Sequence, residues 1–377
     1  MKRTFAILTS FILMINMTCN RFETEFDGRY DTLCKSMNVD ATAIKQLVSS
    51  TRQGKYGKVT SILISYNDSL ILESYFRGFS RNSLINLHSC TKSIVSILSG
   101  IAIDKGKIQS VDSKLFDIFN EEKTPLNWNL QNRSITIKNL LMMTAGWEWN
   151  EETIPYDNPT NSLILFNNAK NKLEHISDLR FSSNPGEKFY YNSASLFLAS
   201  MVLTKTTGMP ADSFANKYLF SPLNIFKWKW YRNADGIPYG QGDLFLRPVD
   251  FLKIGQLVCN GGKISKGYQI VSENWLKASF NNCKETSTKL FYYGYAWYIV
   301  SEKHPELGSF AKTHRIFEAA GMGGQILYVI PDLKLVIVST AQNDDLHDPD
   351  KNFISEAILW DYILPGCGYK TLKAEKP

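Results

Sequence analysis

His88-Ser89-Cys90-Thr91-Lys92-Ser93-Ile94 opens a run that closes on Ile103-Asp104-Lys105-Gly106. Ile94, Ile97, Leu98, Ile101 and Ala102 recur at helical spacing, which predicts a helix over 89–104 with one buried stripe and a stop at Gly106. A serine and a lysine three residues apart on a helix share a face, so the Lys92 amine comes within reach of the Ser89 hydroxyl. A lysine held out of water gives up its proton more readily and can then take one from the serine. That pairing is the chemistry of an acyl-enzyme built without histidine. Spacing by itself says less. Ser309-Phe310-Ala311-Lys312 repeats it in a stretch that reads as a loop, and a serine at a helix start is also an ordinary N-cap.

Outward from this helix, 59–65 and 69–75 are β-rich runs around Tyr66-Asn67-Asp68, a hairpin pattern. An amphipathic helix is expected over 41–51. From about 107 to 285 the chain reads as short helices and long loops, with helices over 135–144, 194–207 and 248–260. Gly208 and Gly261-Gly262 stop the last two. The acidic, tryptophan-bearing 147–159 stretch reads as a loop. Near the C-terminus 292–300, 324–330 and 335–341 read as strands, with Pro331-Asp332 turning between the last two, and 353–363 as a closing helix. Strands at both ends imply one sheet drawn from 19–106 and 286–377, with a helical domain inserted over 107–285.

Of the 377 residues, 44% are hydrophobic and 21% charged, enough for a sizeable core in one large or two interlocked domains. The net charge is +6; without Lys2 and Arg3 it is 40 basic against 36 acidic residues, or +4. No basic run stands out, which argues against a nucleic-acid partner. Met1-Lys2-Arg3 and the apolar run over 5–15 have the form of a secretory signal over 1–18, too short to span a bilayer as a folded helix. Cys19 follows at once, as in a bacterial lipoprotein junction, although Asn16 stands where such a site usually has an aliphatic residue. Cys19 is therefore a candidate lipidation site and a means of membrane anchoring. The expected location is exported, as a periplasmic protein or membrane-anchored lipoprotein. The other cysteines form no Cys-x-x-Cys pair, which argues against zinc. Export would permit a Cys259–Cys283 disulfide, and Cys90 reads as a small packed residue.

Two further motifs carry chemistry. Pro185-Gly186-Glu187-Lys188-Phe189-Tyr190-Tyr191-Asn192-Ser193 is a turn running into a helix. A tyrosine beside a lysine ammonium can ionise more easily and serve as base, then as acid. Tyr190 offers a rival register, and Tyr156-Asp157-Asn158 is a look-alike. Ala319-Ala320-Gly321-Met322-Gly323-Gly324-Gln325 opens a strand hairpin, where glycines let a substrate approach backbone N–H groups able to hold an oxyanion.

These three motifs, in this order, resemble the serine β-lactamase-like superfamily of penicillin-recognising enzymes. That group includes class C β-lactamases, D-Ala-D-Ala peptidases, related esterases and 6-aminohexanoate-dimer hydrolases. Leu140-Leu141-Met142-Met143-Thr144-Ala145-Gly146, Arg247-Pro248-Val249-Asp250 through Gly261-Gly262, and Tyr293-Gly294-Tyr295-Ala296-Trp297 are similar to its segments as well. The resemblance covers roughly 55–345. It implies an α/β (α+β) fold of the β-lactamase/transpeptidase type, an antiparallel sheet flanked by helices with an inserted helical domain. It implies Ser89 as the acylated nucleophile, Lys92 as proton acceptor and Tyr191, by its Pro-Gly spacing, as the tyrosine partner. Ser193 falls where many relatives have asparagine. Backbone N–H groups of Ser89 and Met322, in the Gly321–Gly324 region, would hold the oxyanion. No metal or cofactor is implied, and the partner would be a small-molecule ester, amide or peptide-like substrate.

One departure matters. The Lys-Thr-Gly or His-x-Gly of many relatives is Ala319-Ala320-Gly321 here, so the cation that would hold a substrate carboxylate is missing. Lys312-Thr313-His314 lies too far ahead to replace it. The departure favours an esterase or amidase over a β-lactamase or D-Ala-D-Ala peptidase. A Ser-His-Asp hydrolase would draw on His88, His175, His304, His314 or His347, but no G-x-S-x-G elbow is present. A silent binding protein on the same fold would have no need of Ser89, Lys92 and Tyr191 together.

Overall fold

The computed structural model describes residues 34–36, 38–120, 128–264, 267–343 and 357–369. The expected signal over 1–18, Cys19 and residues 353–356 of the expected closing helix lie outside them. The chain divides into two compact units, one of residues 1–55 and 356–371, the other of 56–355 and 372–377.

In the first unit the Ala41–Arg52 helix is capped by Asp40, whose carboxylate accepts from the Thr42 N–H at 2.8 Å. The helix buries Ile44 and Leu47. The closing helical turns, Leu359–Ile363 and Leu364–Gly366, return alongside it. Tyr362 Oη there meets Ser50 Oγ at 3.2 Å and accepts from Lys55 Nζ at 3.3 Å.

The second unit is built on a sheet. Its strands are β1 (Val59–Tyr66), β2 (Ser69–Tyr75), β3 (Ile85–Asn86), β4 (Trp228–Trp230), β5 (Leu244–Leu246), β6 (Lys284–Glu285), β7 (Phe291–Gly294), β8 (Trp297–Val300), β9 (Phe317–Gly321), β10 (Gln325–Ile330) and β11 (Leu335–Ala341). Eight of them form an antiparallel sheet in the order β2-β1-β11-β10-β9-β8-β7-β6, and β3-β5-β4 form a small second sheet. The expected union of both chain ends is the β1–β11 pair, with Val59 opposite Ala341 and Tyr66 opposite Leu335. Both strands are buried almost throughout, their serines and threonines included, because both of their faces are covered. Asn67 and Asp68 take φ 47° and 62°, the left-handed pair that a tight two-residue hairpin needs.

The nucleophile helix differs from its expected form in two ways. A 3₁₀ turn, His88–Cys90, precedes the α-helix, which starts at Thr91 and runs to Asp104. Nor is there one buried stripe: every residue from Thr91 to Ala102 is buried. The helix is central, packed by the sheet on one side and the Ser193–Thr207 helix on the other, and so is buried on every face, Ser93, Ser96 and Ser99 included. The Pro248–Cys259 helix lies on the sheet. A Cβ at Gly255 would come 2.4 Å from Val336 and 2.6 Å from Leu327, so glycine sets that close approach.

Three other expectations are corrected. The 292–300 run is a hairpin, β7 and β8, turning at Tyr295-Ala296 with φ 40° and 63°. The 135–144 helix contracts to Ile137–Leu141, because Thr136 and Asn139 form a capping box that fixes its start. Cys259 and Cys283 are free thiols.

Candidate active site

The segments singled out in the sequence are stitched together around Ser89. Tyr190 N–H donates to Met143 O at 3.0 Å and Gly186 N–H to Thr144 O at 2.7 Å, which ties the tyrosine segment to the 140–146 segment. Ala296 N–H donates to Leu141 O at 2.7 Å, and Ser93 Oγ donates to Ala296 O at 2.6 Å, which ties both to the central helix. The turn at Tyr295-Ala296 therefore has a structural purpose that its residue types do not announce.

His88, just before Ser89, takes φ 46°. A bulky residue in the left-handed region costs about 1–2 kcal/mol. The conformation is held by Asn86, whose side-chain oxygen accepts from His88 N–H at 2.9 Å. Cys90 is fully buried, and its thiol reaches Ala319 O at 3.4 Å and Gln325 O at 3.3 Å. It is the small packed residue expected, and it docks the turn against β9 and β10. Gly321 completes the fit: a Cβ there would lie 2.4 Å from Leu87 O and 3.2 Å from Cys90 Sγ.

Two side chains converge on Ser89 Oγ. Lys92 Nζ donates to it at 2.7 Å and to Gln241 O at 2.9 Å. Tyr191 Oη donates to it at 2.8 Å. Lys92 is 2% exposed and lies 5.0 Å from the centre of the Tyr191 ring. Tyr190 is 40% exposed, and it is the hydroxyl of Tyr191 that reaches Ser89. Met322 heads the β9–β10 turn at 48% exposure, with Gly323 and Gly324 at φ 79° and 92°. Ser193 is buried, and its hydroxyl is spent on Glu151.

Burial outweighs charge in setting the protons. It brings Lys92 down from 10.5 to about 8, against the opposing pull of Glu151 and Cys90. It pushes the Tyr191 phenol well above its ordinary value, and the Glu151 charge adds to the rise, while the hydrogen bond to Ser89 works the other way. The expectation of an easily ionised tyrosine is thus reversed: Tyr191 holds its proton more firmly than a free phenol, and Lys92 holds its own less firmly than a free lysine.

Glu151 and the Gln241 carbonyl were not singled out in the sequence. Glu151 lies in an acid-rich loop and contacts Ser193, 42 residues away, so no local pattern points to it. Tyr156, the look-alike, comes to the same carboxylate, its hydroxyl 3.5 Å from Oε1. Among the described residues, no three His, Cys, Asp or Glu side chains are grouped to hold a metal ion.

Comparison with known proteins agrees with this architecture. A 6-aminohexanoate-dimer hydrolase of Paenarthrobacter ureafaciens is 20% identical over 245 residues, covering 58% of this chain and 56% of that protein. The chain thus spans little more than half the length of this curated relative. Among solved structures, a candidate 6-aminohexanoate-dimer hydrolase from Bacillus anthracis superposes with TM-score 0.68 at 19% identity, over 85% of this chain and 82% of that one. A class C β-lactamase variant gives 0.64 at 14%, over 86% and 96%. These likenesses show the β-lactamase/transpeptidase-like fold, an antiparallel sheet with flanking helices. With the Beta-lactamase family model matching residues 51–357, the chain belongs to the β-lactamase family.

Proposed function

We propose that the chain is a serine hydrolase that cleaves a carboxylic ester or amide through an acyl-enzyme on Ser89. The observation that carries this reading is the convergence of Lys92 Nζ and Tyr191 Oη on Ser89 Oγ, at 2.7 and 2.8 Å. With Lys92 at about 8, roughly a tenth of it is the free amine at pH 7, a useful base near neutrality. Lys92 takes the Ser89 proton as the oxygen attacks the carbonyl carbon. The N–H groups of Ser89 and Met322 hold the oxyanion. Tyr191, kept neutral, gives its proton to the leaving oxygen or nitrogen and regains one from the Lys92 ammonium. Water then attacks the acyl-enzyme by the reverse relay, which frees the acid and returns the proton to Ser89.

The substrate reading rests on β9. Ala319, Ala320 and Gly321 stand where the family resemblance would put a carboxylate-binding cation. That favours substrates with no such carboxylate over β-lactams and D-Ala-D-Ala peptides. The Paenarthrobacter relative's name, which gives a 6-aminohexanoate dimer as what it acts on, supports the amide part of the reading, since the units of that dimer are joined by an amide. A fluorophosphonate probe is expected to label the protein and not Ser89→Ala, and a short-chain p-nitrophenyl ester to be cleaved faster than nitrocefin or a D-Ala-D-Ala peptide. Folded protein that takes no label would be a binding protein on this fold; faster nitrocefin turnover would restore the β-lactamase reading.

Export with a lipid on Cys19 belongs to the same proposal. Among the described residues no helix is long and apolar enough to cross a membrane. Incorporation of a fatty-acid label, lost in Cys19→Ala, is the expected result.

A further inference from the structure

Glu151 is 1% exposed, in the loop that leaves Gly146. Its Oε2 accepts from the Trp149 indole N–H at 2.7 Å and from the Ser193 backbone N–H at 2.8 Å. Its Oε1 accepts from the Ser193 hydroxyl at 2.6 Å and faces the Tyr156 hydroxyl at 3.5 Å. Ser193 is the first residue of the 15-residue Ser193–Thr207 helix, so the carboxylate occupies that helix's positive end. Tyr191 stands two residues upstream of this anchor. Asn161, fully buried, fixes the other side of the loop by donating to the backbone oxygens of Glu151 and Ile154 at 3.2 and 2.6 Å.

The geometry points to Glu151 as a positioning residue for Ser89, Lys92 and Tyr191: it pins the Tyr191 segment through Ser193 and supplies the buried negative charge that Lys92 and Tyr191 face. This rests on the hydrolase reading above. Hydrogen bonding alone does not require a charge here. A glutamine could accept from Trp149 and Ser193 N–H with its oxygen, while its NH₂ donated to the two hydroxyls, which can turn to accept. A buried carboxylate is costly where a neutral amide would do, so the charge itself is what calls for an explanation.

The groups facing the carboxylate come from every surrounding element. They are Lys92 from the central helix, Tyr191 from its own segment, Glu152 and Tyr156 from the loop, and Tyr293 from β7. Lys92 is the cation among them. The carboxylate favours its ammonium form and opposes ionisation of the tyrosines. Removing the charge moves the titrations of both Lys92 and Tyr191 to lower pH.

The test is the pH dependence of kcat/KM for a p-nitrophenyl ester in the full chain. In Glu151→Gln the rising limb should move to lower pH by about half a unit or more. In Ser193→Ala, which takes a donor away and leaves the charge, the limb should stay in place while kcat falls about tenfold. An unmoved limb in Glu151→Gln, or an equal shift in both variants, would overturn the proposal. If Glu151→Gln does not fold, Glu151→Asp serves in its place: the limb should stay near the wild-type pH with kcat reduced, and a limb displaced by half a unit or more counts against the proposal. Hydrolysis that survives Ser89→Ala would instead overturn the hydrolase reading, a separate outcome.

Discussion

The chain carries two Ser-x-x-Lys sequences, and the structure treats them differently. At Ser89 the pair sits at the head of a helix buried on all sides, and Lys92 touches the serine. At Ser309 the four residues fall on the short Gly308–Ala311 helix and its end, where a loop was expected, and both Ser309 and Lys312 are exposed. The spacing is the same, yet only the first lysine is buried, and burial drives it toward its neutral form. Burial, not the motif, is what sets the two pairs apart.

Each prediction tries to erase or widen that contrast. Ser89→Ala should abolish ester turnover, a loss of at least about 10⁴-fold, while Ser309→Ala stays at the wild-type rate. Lys92→Met should lower kcat by about 10³-fold, with Lys312→Met unchanged. Tyr191→Phe should cost about 10²-fold and Tyr190→Phe less than about twofold; the opposite result would move the tyrosine register by one. In the wild type kcat/KM should rise with pH through about 8, as Lys92 loses its proton, with no fall until the ordinary tyrosine range is passed.

Stability should show the contrast with opposite sign. Lys92 drops from 10.5 in the unfolded chain to about 8 in the folded one, so its contribution is full above 10.5 and lost as pH falls through 8. At pH 7 the buried amine therefore costs about 3 kcal/mol. Lys92→Met should raise the thermal midpoint at pH 7, partly offset by the Gln241 carbonyl that it leaves without its donor. Lys312→Met should leave the midpoint unchanged.

Much of this could be read from residues alone, for identifiable reasons. Apolar runs and Asn67-Asp68 gave the β1–β2 hairpin, and an i,i+3 spacing put Lys92 beside Ser89. The β7–β8 turn was hidden because Tyr295 and Ala296 are poor turn residues, forced into left-handed backbone and held by contacts with Leu141 and Ser93. The direction of the Tyr191 shift was misjudged because a nearby cation is visible in the sequence and the depth of burial is not. Glu151 was missed because its partners lie on segments that meet only in the folded chain.

The β1–β11 pairing joins side chains 280 residues apart, Thr60 and Thr340. The thiol that docks the nucleophile turn reaches the carbonyls of residues 319 and 325. A ribosome making this protein therefore emits Ser89 and Lys92 long before anything exists to bury them, and a lysine left in water keeps its proton. The nucleophile turn has nothing to pack on until the last strands arrive, and such distant pairings are also the slow ones.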